Sequence, residues 1–166
     1  GYYSSRTLFE DIVGPLLPVN ELRGARVAEV GAGTGRIVNM LLDCGIESII
    51  AVEPSAAFDV MLSNTAQRAE KVEYLQPTGE NLPQDRNLDA VFSIGVIHHI
   101  PDPTPTLIAM RDSLKPGGVC LIWLYGKEGN EIYLALSGFL RLFTTRLPDS
   151  VLSGLAVCLD YLLQPY

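Results

Sequence analysis

Val27-Ala28-Glu29-Val30-Gly31-Ala32-Gly33-Thr34-Gly35 is the stretch that decides the fold. Val27 to Val30 is a short apolar run that closes in a glycine cluster, which reads as a buried strand. Directly after it, Ile37, Val38, Leu41 and Leu42 recur at helical spacing, and Gly45 ends that helix. Strand, glycine turn and helix in that order open a βαβ unit.

Working outward, the alternation continues. Leu8, Phe9, Ile12, Val13, Leu16 and Leu17 predict a helix over 5–17, and Pro18 to Gly24 a loop. Ile49 to Val52 is a second strand. Ser55 caps a helix reaching about Glu70, with Ala56, Val60 and Met61 inward. Val72 to Leu75 is a third strand, residues 76–87 are a polar loop, and Leu88 to Ile94 is a fourth strand. A helix over about 104–114 follows the prolines 101, 103 and 105. Lys115-Pro116-Gly117-Gly118 reads as a turn, and Val119 to Tyr125 as a fully buried fifth strand. Alternating strands and helices with right-handed crossovers imply an α/β, doubly wound, mainly parallel sheet.

The tail differs. Residues 127–166 hold ten leucines against five β-branched residues, so two helices are expected, about 130–143 and 149–163. Residues 1–126 are therefore expected to form the ligand-binding part and 127–166 a helical segment of the same domain. Apolar residues fall on more than one side of each tail helix, which calls for a second burial surface. The expectation is that the tail covers the open edge of the fifth strand, in its own chain or a neighbour's, giving a homodimer.

The chain has 166 residues, 48% hydrophobic and 19% charged, which excludes disorder. Its longest notable apolar run, Val119–Tyr125, is far short of the ~20 residues a spanning helix needs, and no basic-then-apolar leader opens it. A cytoplasmic protein without a membrane span is expected. The net charge of −7 and the lack of any Lys/Arg run argue against a nucleic-acid partner. Cys44, Cys120 and Cys158 form no CxxC and no zinc spacing, so they are expected to be buried, reduced thiols, and no metal is expected.

The chemistry sits at the glycine turn. Glycines let the chain turn tightly and let a ligand approach the backbone. Glu53 follows at the tip of the second strand, 18 residues after Gly35, where a carboxylate could accept both hydroxyls of a ribose. A dinucleotide site wants G-x-G-x-x-G, but Arg36 stands at the sixth position. Glu29 puts a negative charge just before the turn, which repels a pyrophosphate and suits a ligand bearing an ammonium and a sulfonium. The residues therefore favour S-adenosylmethionine over NAD.

At this point the sequence resembles the class I S-adenosylmethionine-dependent methyltransferases, across about residues 25–126. Glu29 to Gly35 resembles the family's first motif and Ala51-Val52-Glu53-Pro54-Ser55 its second. Thr78-Gly79-Glu80-Asn81-Leu82-Pro83 resembles its adenine-side loop, with Thr78 where the family often has Asp. Leu88 to Ser93 with Val96-Ile97-His98-His99-Ile100 resembles the fourth-strand region, and Leu114-Lys115-Pro116-Gly117-Gly118 the turn before the fifth strand.

The resemblance implies a Rossmann-like sheet of order 3-2-1-4-5, here without the family's last two strands. It implies that Glu29, Gly31, Ala32, Gly33, Thr34 and Gly35 hold the methionine part, with Glu53, Pro54 and Ser55 at the ribose. Thr78, Gly79 and Glu80 would lie near adenine, and Ile94 and Gly95 would close over the amino group. S-adenosylhomocysteine would be the product. His98 or His99 is the candidate general base, set against a merely packed or loop-fixing role. No Asn-Pro-Pro-Tyr follows the fourth strand; Ser93-Ile94-Gly95-Val96 stands there, which leaves a small-molecule methyl acceptor as the expectation. The alternative is a non-catalytic module that binds S-adenosylmethionine or S-adenosylhomocysteine and acts through a partner.

Overall fold

The computed structural model describes residues 6–124 and, beyond them, 126, 138–139, 144, 146–148 and 150–154. The chain divides into two compact units, Gly1–Leu124 and Tyr125–Tyr166. In the first, the elements run α1 (Arg6–Val13), β1 (Arg26–Val30), α2 (Arg36–Asp43), β2 (Ser48–Val52), α3 (Ala57–Thr65), β3 (Val72–Leu75), β4 (Leu88–Ile94), α4 (Thr104–Ser113) and β5 (Leu114–Trp123). The five strands form one sheet in the order β3-β2-β1-β4-β5, with every pairing parallel.

Alternation along the strands divides the core in two. Val27, Ile49, Ala51 and Phe92 pack with Phe9, Val13, Ile37, Leu41 and Met61 from α1, α2 and α3. Ala28, Val30, Ile50, Val52 and Val91 pack on the other face with Leu82, Ile97, Ala109 and Met110. Central strands buried on both faces read as continuous apolar runs, which is why they stand out in the sequence. Phe9 and Phe92 meet edge to face, centroids 5.8 Å apart, tying α1 to β4.

Several boundaries differ from expectation. The first helix stops at Val13: Gly14 accepts no side chain, because a Cβ there would lie 2.4 Å from the Glu10 carbonyl oxygen. The third helix ends at Thr65, and residues Ala66–Lys71 continue as a 3₁₀ turn. Its buried residues are Met61 and Thr65, whereas Ala56 and Val60 are exposed. Ser55 holds the start of the third helix: its Oγ accepts from the Ala57 N–H and its carbonyl from the Phe58 N–H, both at 3.1 Å. The loop after β3 carries two short 3₁₀ turns, Gly79–Asn81 and Gln84–Arg86.

The fifth strand starts earlier than expected, at Leu114, and the supposed turn lies inside it. Leu88 pairs with Leu114 and Ala90 with Val119, so β5 advances five residues while β4 advances two. Pro116 cannot donate to the ladder and Gly117 sits at φ 79°, so the extra residues bulge outward. The strand is not fully buried: Val119 and Cys120 are exposed, which corrects the expectation of a buried Cys120, while Cys44 is buried.

In the second unit, residues 150–154 are helical, with the Pro148 carbonyl accepting from the Val151 and Leu152 N–H groups at 3.0 and 3.1 Å. Residues 138–139, within the first expected tail helix, are helical too; the remainder of the expected tail helices, Cys158, and the expected cover over the β5 edge with its dimer lie outside the described residues. Among the described residues no helix is long and apolar enough to cross a membrane.

Candidate active site

The site lies where the carboxyl ends of β1, β2 and β4 meet, at the point where the strand order reverses. Gly31, Gly33 and Gly35 all have positive φ, at 81°, 54° and 80°. A Cβ on Gly31 would lie 2.4 Å from Val96 Cγ2, so this glycine is needed for packing as well as for conformation. A Cβ on Gly33 would meet nothing within 4 Å. The loop is thus open toward solvent space at its centre and tight at its start.

The loop spends its own donors inside the protein. The Gly31 and Ala32 N–H groups both donate to the Val52 carbonyl, at 2.8 and 2.9 Å. The Gly33 N–H donates to Glu53 Oε2 at 2.7 Å, and the Gly35 N–H to the Ala32 carbonyl at 2.9 Å. A phosphate-binding turn aims such N–H groups at its ligand. Here four of them are engaged, which sets this loop apart from a pyrophosphate cradle.

Glu53 is buried, and its second oxygen accepts from the Ser55 N–H at 2.8 Å. It therefore clamps the glycine loop to the start of the chain leading into α3. Each carboxylate oxygen keeps a second lone pair, so the same group can accept from a ligand hydroxyl.

Glu29 is 1% exposed and its Oε2 has no hydrogen-bond partner among the described residues. Strand alternation turns it to the side of Val27, under the helical layer. Burial is the main influence on it and pushes its carboxyl up from the ordinary 4.5 to about 8; the Arg36 guanidinium opposes the rise and Glu53 adds to it. A polar hollow lies over it, lined by Glu29, Gly31–Thr34, Arg36, Ile37 and Ile94. On the other side of the loop lies a more apolar hollow, where Val30, Pro54, Thr78, Gly79, Val96 and Thr106 are among the lining residues.

Gly79 is buried, and a Cβ there would come within 2.7 Å of both Val30 and Thr106 side chains. Thr78 Oγ1 donates to Glu80 Oε1 at 3.2 Å and accepts from the Asn81 amide at 3.0 Å. Ser93 Oγ donates to the Val30 carbonyl at 3.0 Å, and the Gly95 N–H to the Trp123 carbonyl at 2.9 Å, which fixes the end of β4 beside the site. His98 and His99 are exposed on the 3₁₀ turn Ile97–His99, ring centroids 4.0 Å apart. Among the described residues no group of three or more His, Cys, Asp or Glu could hold a metal ion.

The structure thus brings Glu29, Gly31, Ala32, Gly33, Thr34, Glu53, Pro54, Thr78, Gly79, Glu80 and Ile94 to one place on either side of the glycine loop. Gly35 and Ser55 serve the loop and its clamp. Sequence reading missed Val96, Ile100 and Thr106, which line the apolar hollow. In the sequence Arg36 only breaks the dinucleotide pattern; the side chain is exposed, yet it lines the polar hollow with Glu29. The separation of seven residues placed both on the turn's flanks, but only the fold shows them acting on one another.

Comparison with known proteins agrees with this geometry. The family described as "Methyltransferase domain" matches residues 28–122, more than half of the chain. The chain belongs to this Rossmann-like methyltransferase family. It is 34% identical over 116 residues to the tRNA U34 carboxymethyltransferase of Pseudomonas aeruginosa (strain LESB58), covering 68% of this chain and 36% of that protein. It is 28% identical over 129 residues to the protein of the same name from Idiomarina loihiensis, covering 72% and 39%. The chain therefore spans little more than a third of these relatives. Among solved structures, YcgJ from Bacillus subtilis superposes with a TM-score of 0.62 at 24% identity, covering 80% of this chain and 58% of that one.

These relatives correct one expectation. A small-molecule acceptor and no nucleic-acid partner were expected, but the curated relatives are named for action on tRNA. The expectation rested on a net charge of −7 summed over the chain. Net charge bears on steering and solubility, whereas gripping an RNA takes cations only where its phosphates lie.

Proposed function

We propose that this chain binds S-adenosylmethionine across the glycine loop and transfers a methyl-type group to a base of a tRNA. The observation that carries the cofactor assignment is the buried Glu29 oxygen without a partner, in a hollow beside a loop whose N–H groups are already engaged. Such a place suits a cation and disfavours a phosphate. The acceptor assignment rests on the relatives named above.

In this reading Glu29 and the backbone of Gly31–Gly35 hold the methionine part, and Ile94 and Gly95 wall it at the end of β4. Glu53 uses its spare lone pairs on the ribose, with Pro54 and Ser55 alongside. Thr78, Gly79 and Glu80, with Val96 and Thr106, surround adenine in the apolar hollow. S-adenosylmethionine supplies an alkyl group already activated on a sulfonium leaving group. The protein's own work is then to orient the two reactants and keep water out. His98 and His99, exposed on the turn that follows the site, are the groups that take a proton from the acceptor where attack requires one.

The test is transfer of labelled methyl from S-adenosylmethionine into bulk tRNA, run beside a nucleic-acid-free metabolite extract. The proposal expects label in tRNA, reduced in His98→Asn or His99→Asn with cofactor affinity kept. Binding of the cofactor without label in tRNA refutes the transfer.

A further inference from the structure

We propose that Glu29 reads the charge of the bound ligand: it releases a proton to solvent when a sulfonium-bearing ligand enters and regains one when the ligand is the uncharged thioether, so that the cleft discriminates donor from spent product. This rests on the assignment of the cleft to S-adenosylmethionine.

The groups around Glu29 give it one opposing pair of charged neighbours and no hydrogen-bond donor at Oε2. From β2, the Glu53 carboxylate faces it and is itself bound to the Gly33 and Ser55 N–H groups. From α2, Arg36 acts on it across the polar hollow, but that side chain is exposed and screened by water. The adjoining residues of β4, Phe92 and Ile94, carry no charge. The carboxyl is buried and its Oε2 unpartnered. Left ionised there, it has only the exposed Arg36 to favour it, and burial outweighs that influence. A ligand's positive charge in the hollow supplies the missing partner and makes the ionised form favourable. Burial already holds the proton on near neutral pH in the free protein, so binding has a proton to expel.

S-adenosylmethionine and S-adenosylhomocysteine share an ammonium and a carboxylate and differ by the sulfonium charge. The first should therefore drive Glu29 further toward ionisation. With a free-protein value of about 8, affinity for a ligand that needs the ionised form rises about fiftyfold from pH 6 to pH 8. The ligands' own α-amino group titrates in the same range. The sulfonium lowers that group's pKa in the donor alone, so each ligand's own proton change, taken from its titration free in solution, is subtracted before the two are compared.

The experiment is calorimetric titration of the whole chain with each ligand at pH 6, 7 and 8, in two buffers of different ionisation enthalpy. The expected result is close to one proton released from the protein at pH 7 with S-adenosylmethionine, fewer with S-adenosylhomocysteine, and a donor preference that grows with pH. Glu29→Gln should flatten the difference. Equal proton release with the two ligands, or an undiminished difference in Glu29→Gln, overturns the inference while leaving the cofactor site standing. Should Glu29→Gln fail to fold, the wild-type comparison of the two ligands decides alone. Binding of neither ligand at any pH overturns both readings together.

Discussion

Glu53→Ala should unfold more easily even with no ligand present. In the sequence this residue reads as a ribose acceptor, and the structure gives it a second duty. Its two oxygens accept from the Gly33 N–H at 2.7 Å and the Ser55 N–H at 2.8 Å, and the side chain is 6% exposed. Alanine removes both acceptors and strands two partly buried donors, at about 1–3 kcal/mol each before water refills the gap. A net loss of about 3 kcal/mol lowers the melting temperature by roughly 6–12 °C for a chain of this size. Glu53→Gln keeps one oxygen and turns an amide N–H₂ toward the other donor, so it should fall between alanine and wild type. Thermal unfolding of the ligand-free protein reads this directly. A Glu53→Ala protein with unchanged melting temperature refutes the clamp and leaves Glu53 with ligand binding alone.

Gly31→Ala brings a Cβ within 2.4 Å of Val96 and forces a side chain onto φ 81°; a loss of about 2–4 kcal/mol is expected in urea unfolding. Gly33→Val meets no neighbour, yet it strains φ 54° and fills the open space before the loop; calorimetry should show cofactor binding lost while circular dichroism shows the sheet retained. The raised Glu29 carboxyl has a definite sign for stability. The folded state holds this proton up to about pH 8 while the unfolded chain loses it near 4.5, so its contribution falls as pH rises through that window. Relative to wild type, Glu29→Gln should gain up to about 1.4 kcal/mol per pH unit between those limits, measured by urea unfolding at pH 5 and pH 8.

The parts of the fold legible in the sequence are those where local pattern and burial coincide. Val27–Val30, Ile49–Val52 and Leu88–Ile94 are apolar runs because central parallel strands are covered on both faces. The parts that misled are those decided by contacts distant in sequence. Val60 was expected inward, but the helix buries Met61 and Thr65 instead; the Thr65 hydroxyl is satisfied by the Met61 carbonyl at 2.8 Å and the Tyr74 hydroxyl at 2.7 Å, which permits its burial. Lys115-Pro116-Gly117-Gly118 has turn chemistry and does turn, but the Leu88–Leu114 pairing on its far side makes it a bulge within a strand. At the site, the glycines, Glu29 and Glu53 were legible because the turn fixes their spacing. The clamp by Glu53 and the influence of Arg36 on Glu29 exist only across space.

Direct titration shows most plainly whether the cleft is built for a sulfonium ligand rather than a pyrophosphate. S-adenosylmethionine and NAD are each titrated calorimetrically into wild type and into Gly33→Val at pH 8. One S-adenosylmethionine bound per chain is expected in wild type, none in Gly33→Val, and no measurable NAD binding in either. NAD binding at comparable affinity, or S-adenosylmethionine binding that Gly33→Val leaves unchanged, would contradict it.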